Sequence, residues 1–363
     1  MSRAIANRKP GRRHSSQQGA TLIELMVAMA VGLIILASAV SVFRQAMIAT
    51  DLLTQRAIMQ QNARAGINQI SHDLSMAATG LPAGGIGLPN GGSHAKFACD
   101  STTCYVTNNS YPNDRMYALT PGPGKGVNAE NGSPTDVLTI VYADPSINLI
   151  VDPAVADPKK PGEVNNNITP SGNQVTFDAT TSPSVDDPAF GLTPGDIVVL
   201  SNQNGAAAGE VTNVTKNSNK VDFSSNDPLN INQPGVNGTI SALSNSGSYP
   251  ATRAFRILPV TYFLQLQTDG SKQLMRQVGG HPPVPLIDNV VSISFSYDIY
   301  DETSSTATAD LSEANGQYNS IRKINVSLTV RSPKINPRTR QHDYFSLSTS
   351  VAPRSMGFKD VYQ

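Results

Sequence analysis

Residue types that commonly carry chemistry are few in this 363-residue chain, and most are not placed to work together. The five histidines, His14, His72, His94, His281 and His342, are scattered, with no Ser-His-Asp order, Cys-His pair or HExxH motif. His72 falls beside Asp73 on the polar side of a helical stretch and is expected to form a solvated pair with it. Cys99 and Cys104 enclose Asp-Ser-Thr-Thr, and no second Cys/His pair follows at ligand spacing, so they do not read as a zinc site. Asp186-Asp187, Asn226-Asp227 and Asp298…Asp301-Glu302 lack EF-hand spacing and are expected as solvated loops, with calcium the alternative. The glycine-rich stretches 80–92 and 121–126 have no preceding strand and no following Lys-Ser/Thr, so they read as loops rather than phosphate cradles. No catalytic residue, metal or cofactor is assigned, and the chain is not read as an enzyme. One acid stands apart. Glu24 is the sole charge in the 24 residues from Ala20 to Phe43. A carboxylate in such a run costs on the order of 2–3 kcal/mol unless it is paired or lies near an interface.

That run must be a helix, and as one it is about 36 Å long, enough to cross a hydrocarbon core of about 30 Å. Five bases (Arg3, Arg8, Lys9, Arg12 and Arg13) and no acid precede it. This asymmetry keeps the N-terminus cytoplasmic and exports the rest. The 27 bases and 27 acids of the whole chain balance, but without residues 1–19 there are 22 bases against 27 acids, a net −5. A mildly acidic chain gives no reason for tight non-specific DNA binding, and no nucleic acid contact is expected. A cleaved secretory signal, with Ala37-Ser38-Ala39 as its site, needs a shorter apolar core without an acid. A plain signal anchor fits the length and leaves Glu24 unexplained. If the head is exported, Cys99 and Cys104 read as a disulfide closing a short loop, worth about 2 kcal/mol, with two free thiols as the alternative.

Gln18-Gly19-Ala20-Thr21-Leu22-Ile23-Glu24-Leu25 resembles the type IV prepilin motif. The resemblance implies that a prepilin peptidase cuts after Gly19 and methylates the new N-terminus, Ala20, where the family usually has Phe. It further implies that the apolar run is retained and that Glu24 pairs with the N-terminal amine of a neighbouring subunit. In an apolar filament core such a pair offsets part of the desolvation of each group and fixes register.

No proline occurs between Pro10 and Pro82, which predicts one helix over 20–78, with a membrane or filament-core part at 20–43 and an amphipathic part at 44–78. Ile48, Leu52, Met59, Ala63, Ile70 and Leu74 form an apolar stripe in steps of four and seven, expected to pack on the chain's own sheet. Gly32 and Gly66 are candidate soft points. From residue 79 to 363 the pattern becomes that of a β-rich head. Strands are expected at 137–142, 174–177, 196–200, 210–214, 220–223, 261–267, 273–277, 290–299, 324–330 and 344–351, and Thr268-Asp-Gly-Ser271 is a hairpin turn. Residues 292–297 and 325–330 alternate strictly, as when one sheet face packs on the helix. Short strands within about 186–245 suggest an inserted small β subdomain, and 151–184 and 303–316 read as loops. The fold class is therefore α+β: a long N-terminal helix packed on an antiparallel β-rich head.

Val260-Thr-Tyr-Phe-Leu264, Gln273-Leu-Met-Arg276, the run 286–297 and the run 321–331 are similar to the C-terminal pattern of the PilW family of minor pilins. The pseudopilin J subunit of type II secretion has a similar layout. The resemblance implies a subunit stored in the inner membrane with its head extracytoplasmic, then assembled into a pilus at the cell surface. Its implied partners are the major pilin, other minor pilins, the platform membrane protein and the prepilin peptidase. A membrane-anchored binding or adhesive protein that never joins a filament is the alternative of another class.

Overall fold

The structure, a computed structural model, describes residues 21–82, 84–89, 95–99, 104–107, 115–151, 155–156, 164–165, 168–169, 171–178, 180–233, 235, 238–243, 252–301, 304–314 and 316–356. In 97–99, 104–107, 155–156 and 164–165 it describes the backbone alone. It divides into two units between Thr54 and Gln55. The chain is α+β, with one long N-terminal helix and a β-rich C-terminal region of antiparallel sheets.

Helix α1 spans Leu22–Met76 without a break, as the absence of proline predicts. It stops two residues short of Ala78 because Ala78 turns into the left-handed region (φ 66°) and donates its amide to Val141 O at 3.0 Å. Thr79 N closes the last turn onto Met76 O at 2.9 Å. In the first unit the apolar side chains of the helix, among them Leu22, Ile23, Leu33, Ile34, Val40 and Phe43, are exposed. A contiguous apolar surface of this kind is a site for lipid or protein contact rather than for water. Among the described residues this is the one helix long and apolar enough to cross a membrane.

In the second unit the strands in chain order are β1 (Ile86–Gly87), β2 (Lys96–Cys99), β3 (Cys104–Thr107), β4 (Arg115–Met116), β5 (Leu119–Gly122), β6 (Val137–Ala143), β7 (Val155–Ala156), β8 (Val164–Asn165), β9 (Gln174–Thr176) and β10 (Ile197–Asn202). They continue with β11 (Gly205–Glu210), β12 (Asn213–Thr215), β13 (Lys220–Asp222), then a short helix α2 (Ile240–Leu243), β14 (Arg253–Leu266), β15 (Lys272–Val278) and β16 (Val284–Ile287). The last are β17 (Val290–Asp301), β18 (Thr306–Leu311), β19 (Ile321–Arg331) and β20 (Tyr344–Val351). A seven-stranded sheet is organised around β14, which pairs antiparallel with β10, β15 and β6, extended by β11, β16 and β5. A second sheet runs β18-β17-β19-β20, and a small one runs β12-β13-β9. Residues 186–245 thus serve two sheets, β10 and β11 in the large one, β12 and β13 in the small one.

The main core joins α1 to both larger sheets. Met59, Ala63, Ile67, Ile70 and Leu74 of α1 meet Leu138 and Ile140 of β6, Val260 and Leu264 of β14, and Ile293, Phe295, Val326 and Leu328 of the second sheet. Burial of each such large side chain contributes about 1.5–3 kcal/mol, so the stripe from Met59 to Leu74 packs on the chain's own sheets, while Ile48 and Leu52 belong to the first unit and not to this core. Gly66 is a close approach, not a soft point: a Cβ there would lie 1.9 Å from Ile287 Cδ1. Alternate positions of the same strands, Val137, Val141, Phe263 and Met275, build a second core with Ile86, Met116 and Ile231. The outer side of the second sheet carries rows of small polar residues, such as Thr329 facing Ser346 with their hydroxyls 2.9 Å apart.

The turn 268–271 joins β14 to β15, with Gly270 at φ 78° and Gln267 N on Ser271 O at 2.8 Å. Several segments differ from expectation. The segment 303–316, expected as a loop, contains β18, an exposed edge strand whose Thr, Ala and Asp residues give no apolar alternation. Within 121–126, Pro121 and Gly122 end β5, and within 151–184 Ile168, Val175 and Phe177 are buried core. The strand expected at 210–214 is divided between the end of β11 and β12, and β11 begins earlier, at Gly205, where Gly-Ala-Ala-Ala-Gly has weak β propensity but pairs along all of β10.

Candidate functional site

Glu24 sits in the first turn of α1. Thr21 N donates to Glu24 Oε2 at 2.9 Å and Thr21 Oγ1 to the same oxygen at 3.1 Å. Glu24 N donates back to Thr21 Oγ1 at 3.4 Å. This reciprocal pattern is a capping box, Thr-x-x-Glu, which satisfies two otherwise orphaned amides and places negative charge at the positive end of the helix. The acid therefore has a local partner, which the sequence reading did not supply. Its carboxylate is turned back toward the helix N-terminus. Gly19 and Ala20 lie outside the described residues.

Cys99 and Cys104 face one another as Cα partners of the antiparallel β2–β3 hairpin. The structure therefore brings the backbones of this predicted pair together.

Three polar clusters of the head escaped the sequence reading. The first is centred on Asp73, which is 1% exposed and so is not the solvated partner expected for His72. Tyr262 Oη donates to Asp73 Oδ2 at 2.6 Å, Arg276 Nε to Oδ2 at 2.9 Å, and Tyr142 Oη to Oδ1 at 3.1 Å. His72 Nδ1 lies 3.4 Å from Oδ1 with its ring largely exposed. Burial alone would raise the Asp73 carboxyl, but the Arg276 and Tyr262 hydrogen bonds and the guanidinium charge outweigh it and hold the group below its usual range. Burial and the adjacent carboxylate push both tyrosines up. The cluster ties α1 to β6, β14 and β15. Its signal was present: Ile70, Asp73 and Leu74 share one helical face, and Arg276 is inward with Leu274 on its strand.

The second cluster surrounds Arg256, whose Nε donates to Asp144 Oδ2 at 2.7 Å and Nη1 to Gly191 O at 2.8 Å. Asp196 lies 3.4 Å from the same guanidinium, accepts Thr193 N at 2.8 Å and contacts His281 Nε2 at 2.9 Å. Burial opposes ionisation of Asp196, yet the His281 bond, the Thr193 amide and Arg256 hold its carboxyl below the usual range. The third cluster is an acid pair, Glu210 and Asp227, both buried. Asp227 is thus part of the interior rather than a solvated loop. It accepts Ile231 N at 2.5 Å and Asn232 N at 3.1 Å, while Glu210 accepts Leu229 N at 3.0 Å. Burial, reinforced by the neighbouring Asp227 against the pull of the Leu229 amide, pushes Glu210 up to about 8. Among the described residues no three His, Cys, Asp or Glu side chains converge to hold a metal. These clusters pin strands and loops together.

Residues 14–40 match the family described as the prokaryotic N-terminal methylation motif. No curated protein matches the chain. Among solved structures the chain is similar to a TET aminopeptidase from the marine sediment archaeon Thaumarchaeota archaeon SCGC AB-539-E09, at 12% identity and a TM-score of 0.15, over 41% of this chain and 38% of that one. The chain thus spans well under half of that structure's length, and a likeness this low carries no argument. The methylation motif, leading directly into an exposed apolar helix, supports a type IV pilin-like or pseudopilin protein that is processed by a prepilin peptidase and anchored in a membrane.

Proposed function

We propose that this chain is a structural, non-catalytic minor pilin of a type IV pilus, made as a prepilin and similar to the PilW family. In this reading residues 1–19 are removed by cleavage after Gly19, and Ala20 becomes the methylated N-terminus. The apolar part of the helix, 20–43, is stored in the inner membrane and then packs among other pilin helices, the amphipathic part, 44–78, carries the head, and the head, 79–363, lies outside. A head of this size fits poorly into a repeating shaft, which favours a priming position at or near the tip. The observation that carries the reading is the methylation motif at 14–40 continuing into a helix whose exposed apolar run, up to Phe43, has a single acid, in its first turn.

Glu24 acts in this reading as the register acid. A neighbour's N-terminal amine joins or displaces Thr21 at the carboxylate, so a charged donor adds to or replaces neutral ones rather than leaving a bare charge buried. Cys99 and Cys104 form a disulfide across the β2–β3 hairpin. The major pilin, other minor pilins and the platform membrane protein are the assembly partners.

The test is incorporation. Filaments sheared from cells should contain the wild-type chain, and Glu24→Ala should leave it in the membrane fraction with its head folded. Equal recovery of E24A in sheared filaments would remove the register role. Co-purification with secretion-system subunits instead of pilus subunits would replace the pilus by a secretion pseudopilus.

A further inference from the structure

A cleft of about 320 Å3 opens in the head between the turn before β9, the segment after β13 and the start of α2. It is built by close backbone approach. A Cβ on Gly172 would lie 2.2 Å from Ser241 N, and one on Gly209 would lie 2.4 Å from Ile240 Cδ1 and 2.7 Å from Phe223 Cδ1. Asn232 holds one wall: it accepts Glu210 N at 2.9 Å and donates to Glu210 O at 2.7 Å and Ser224 O at 3.0 Å. Its capacity is used up in the fold.

Other lining groups are not. Asn173 accepts Thr169 Oγ1 at 2.8 Å and Ser171 Oγ at 2.6 Å through its oxygen, and its Nδ2 makes no hydrogen bond among the described residues. The hydroxyls of Ser224 and Ser225 likewise have no partner there, although both line the cleft. Phe223 and Ile240, each 3% exposed, supply the accessible apolar part of the floor, and Ile231 is fully buried. Among the described residues none that lines the cleft carries a charge.

The chemistry selects a ligand class. An ion would lose water without gaining a counter-charge. A purely apolar ligand would strand the amide and both hydroxyls. The volume lies at the low end of the range of about 300–1,000 Å3 for ligand sites. A compact neutral ring with hydroxyls on its rim and C–H groups on its face meets each demand. We propose that this cleft binds a single neutral sugar residue, such as the end of a glycan. Asn173 Nδ2 donates to a ring substituent, Ser224 and Ser225 exchange hydrogen bonds with its hydroxyls, and its C–H face rests on the floor. The inference does not depend on whether the chain enters a filament.

Saturation-transfer NMR on the full chain in a non-glycosidic detergent tests this. The probes are methyl α-glucopyranoside, methyl β-galactopyranoside and N-acetylglucosamine, with glycerol as a non-sugar control. At least one sugar should show transfer, about tenfold weaker in affinity in S224A/S225A, which loses two hydrogen bonds, and abolished in Ser225→Arg. Thermal unfolding should be unchanged in both variants, because neither hydroxyl has a partner in the fold. Absence of transfer from all three sugars, equal transfer from glycerol, or undiminished transfer in Ser225→Arg would overturn the proposal.

Discussion

Glu24 and Asp73 are carboxylates of one helix in opposite surroundings. Glu24 lies among exposed apolar side chains and, among the described residues, is held by Thr21 alone, within its own first turn. Asp73 is buried and held by two tyrosines and an arginine from three strands distant in sequence. The same helix is therefore completed by its own fold at one end and left open for partners at the other. A carboxylate satisfied by the fold is a stability element. One hydrogen-bonded only by neutral donors of its own helix turn remains available for a positive group.

Four variants break or sharpen that contrast. Asp73→Ala leaves Arg276 and two buried hydroxyls without their acceptor, and should cost about 3–5 kcal/mol in denaturant unfolding followed by far-UV circular dichroism. A cost below about 1 kcal/mol would mean that the cluster is not a stability element. Replacing Cys99 and Cys104 by Ser should cost about 2 kcal/mol, with the wild-type bridge visible in non-reducing peptide mapping. Gly66→Ala should cost about 1 kcal/mol by pressing on Cδ1 and Cγ1 of Ile287, and should cost less in an Ile287→Ala background, which removes both atoms. Glu24→Ala should leave head unfolding unchanged within about 0.5 kcal/mol while abolishing incorporation.

The buried acids Asp73 and Glu210 also differ from one another in pH response. Asp73 is held below its ordinary value of 3.8. Its contribution is present above that value and is lost as pH falls through the depressed folded one. Glu210 is raised from 4.5 to about 8, so the unfolded chain releases this proton first and stability declines as pH rises between those values. Glu210→Gln should flatten the decline across that window. Parallel pH profiles for the two proteins would show that Glu210 ionises normally in the fold.

The sequence made Glu24 visible because one charge among 24 residues violates the cost of placing it there. Asp73 escaped notice because charge is ordinary in an amphipathic stretch, and its partners, Tyr142, Tyr262 and Arg276, are brought together only by strand order. β17 and β19 were legible because each buries alternate residues against α1. β11 and β18 were not, since Gly-Ala repeats and small polar residues form strands only when a neighbouring edge pairs with them. The sugar cleft was equally hidden: its walls come from three separated segments, and its signature is hydrogen-bond capacity left unused after folding.

The central claim is that the apolar helix is retained as the assembly element after cleavage of the leader. Mass spectrometry of the membrane-extracted chain, expressed with its own peptidase beside a control pilin, reads this directly. The account predicts a mature N-terminus at Ala20 carrying one extra methyl group. An intact leader while the control is processed, or a start at Val40, would contradict it.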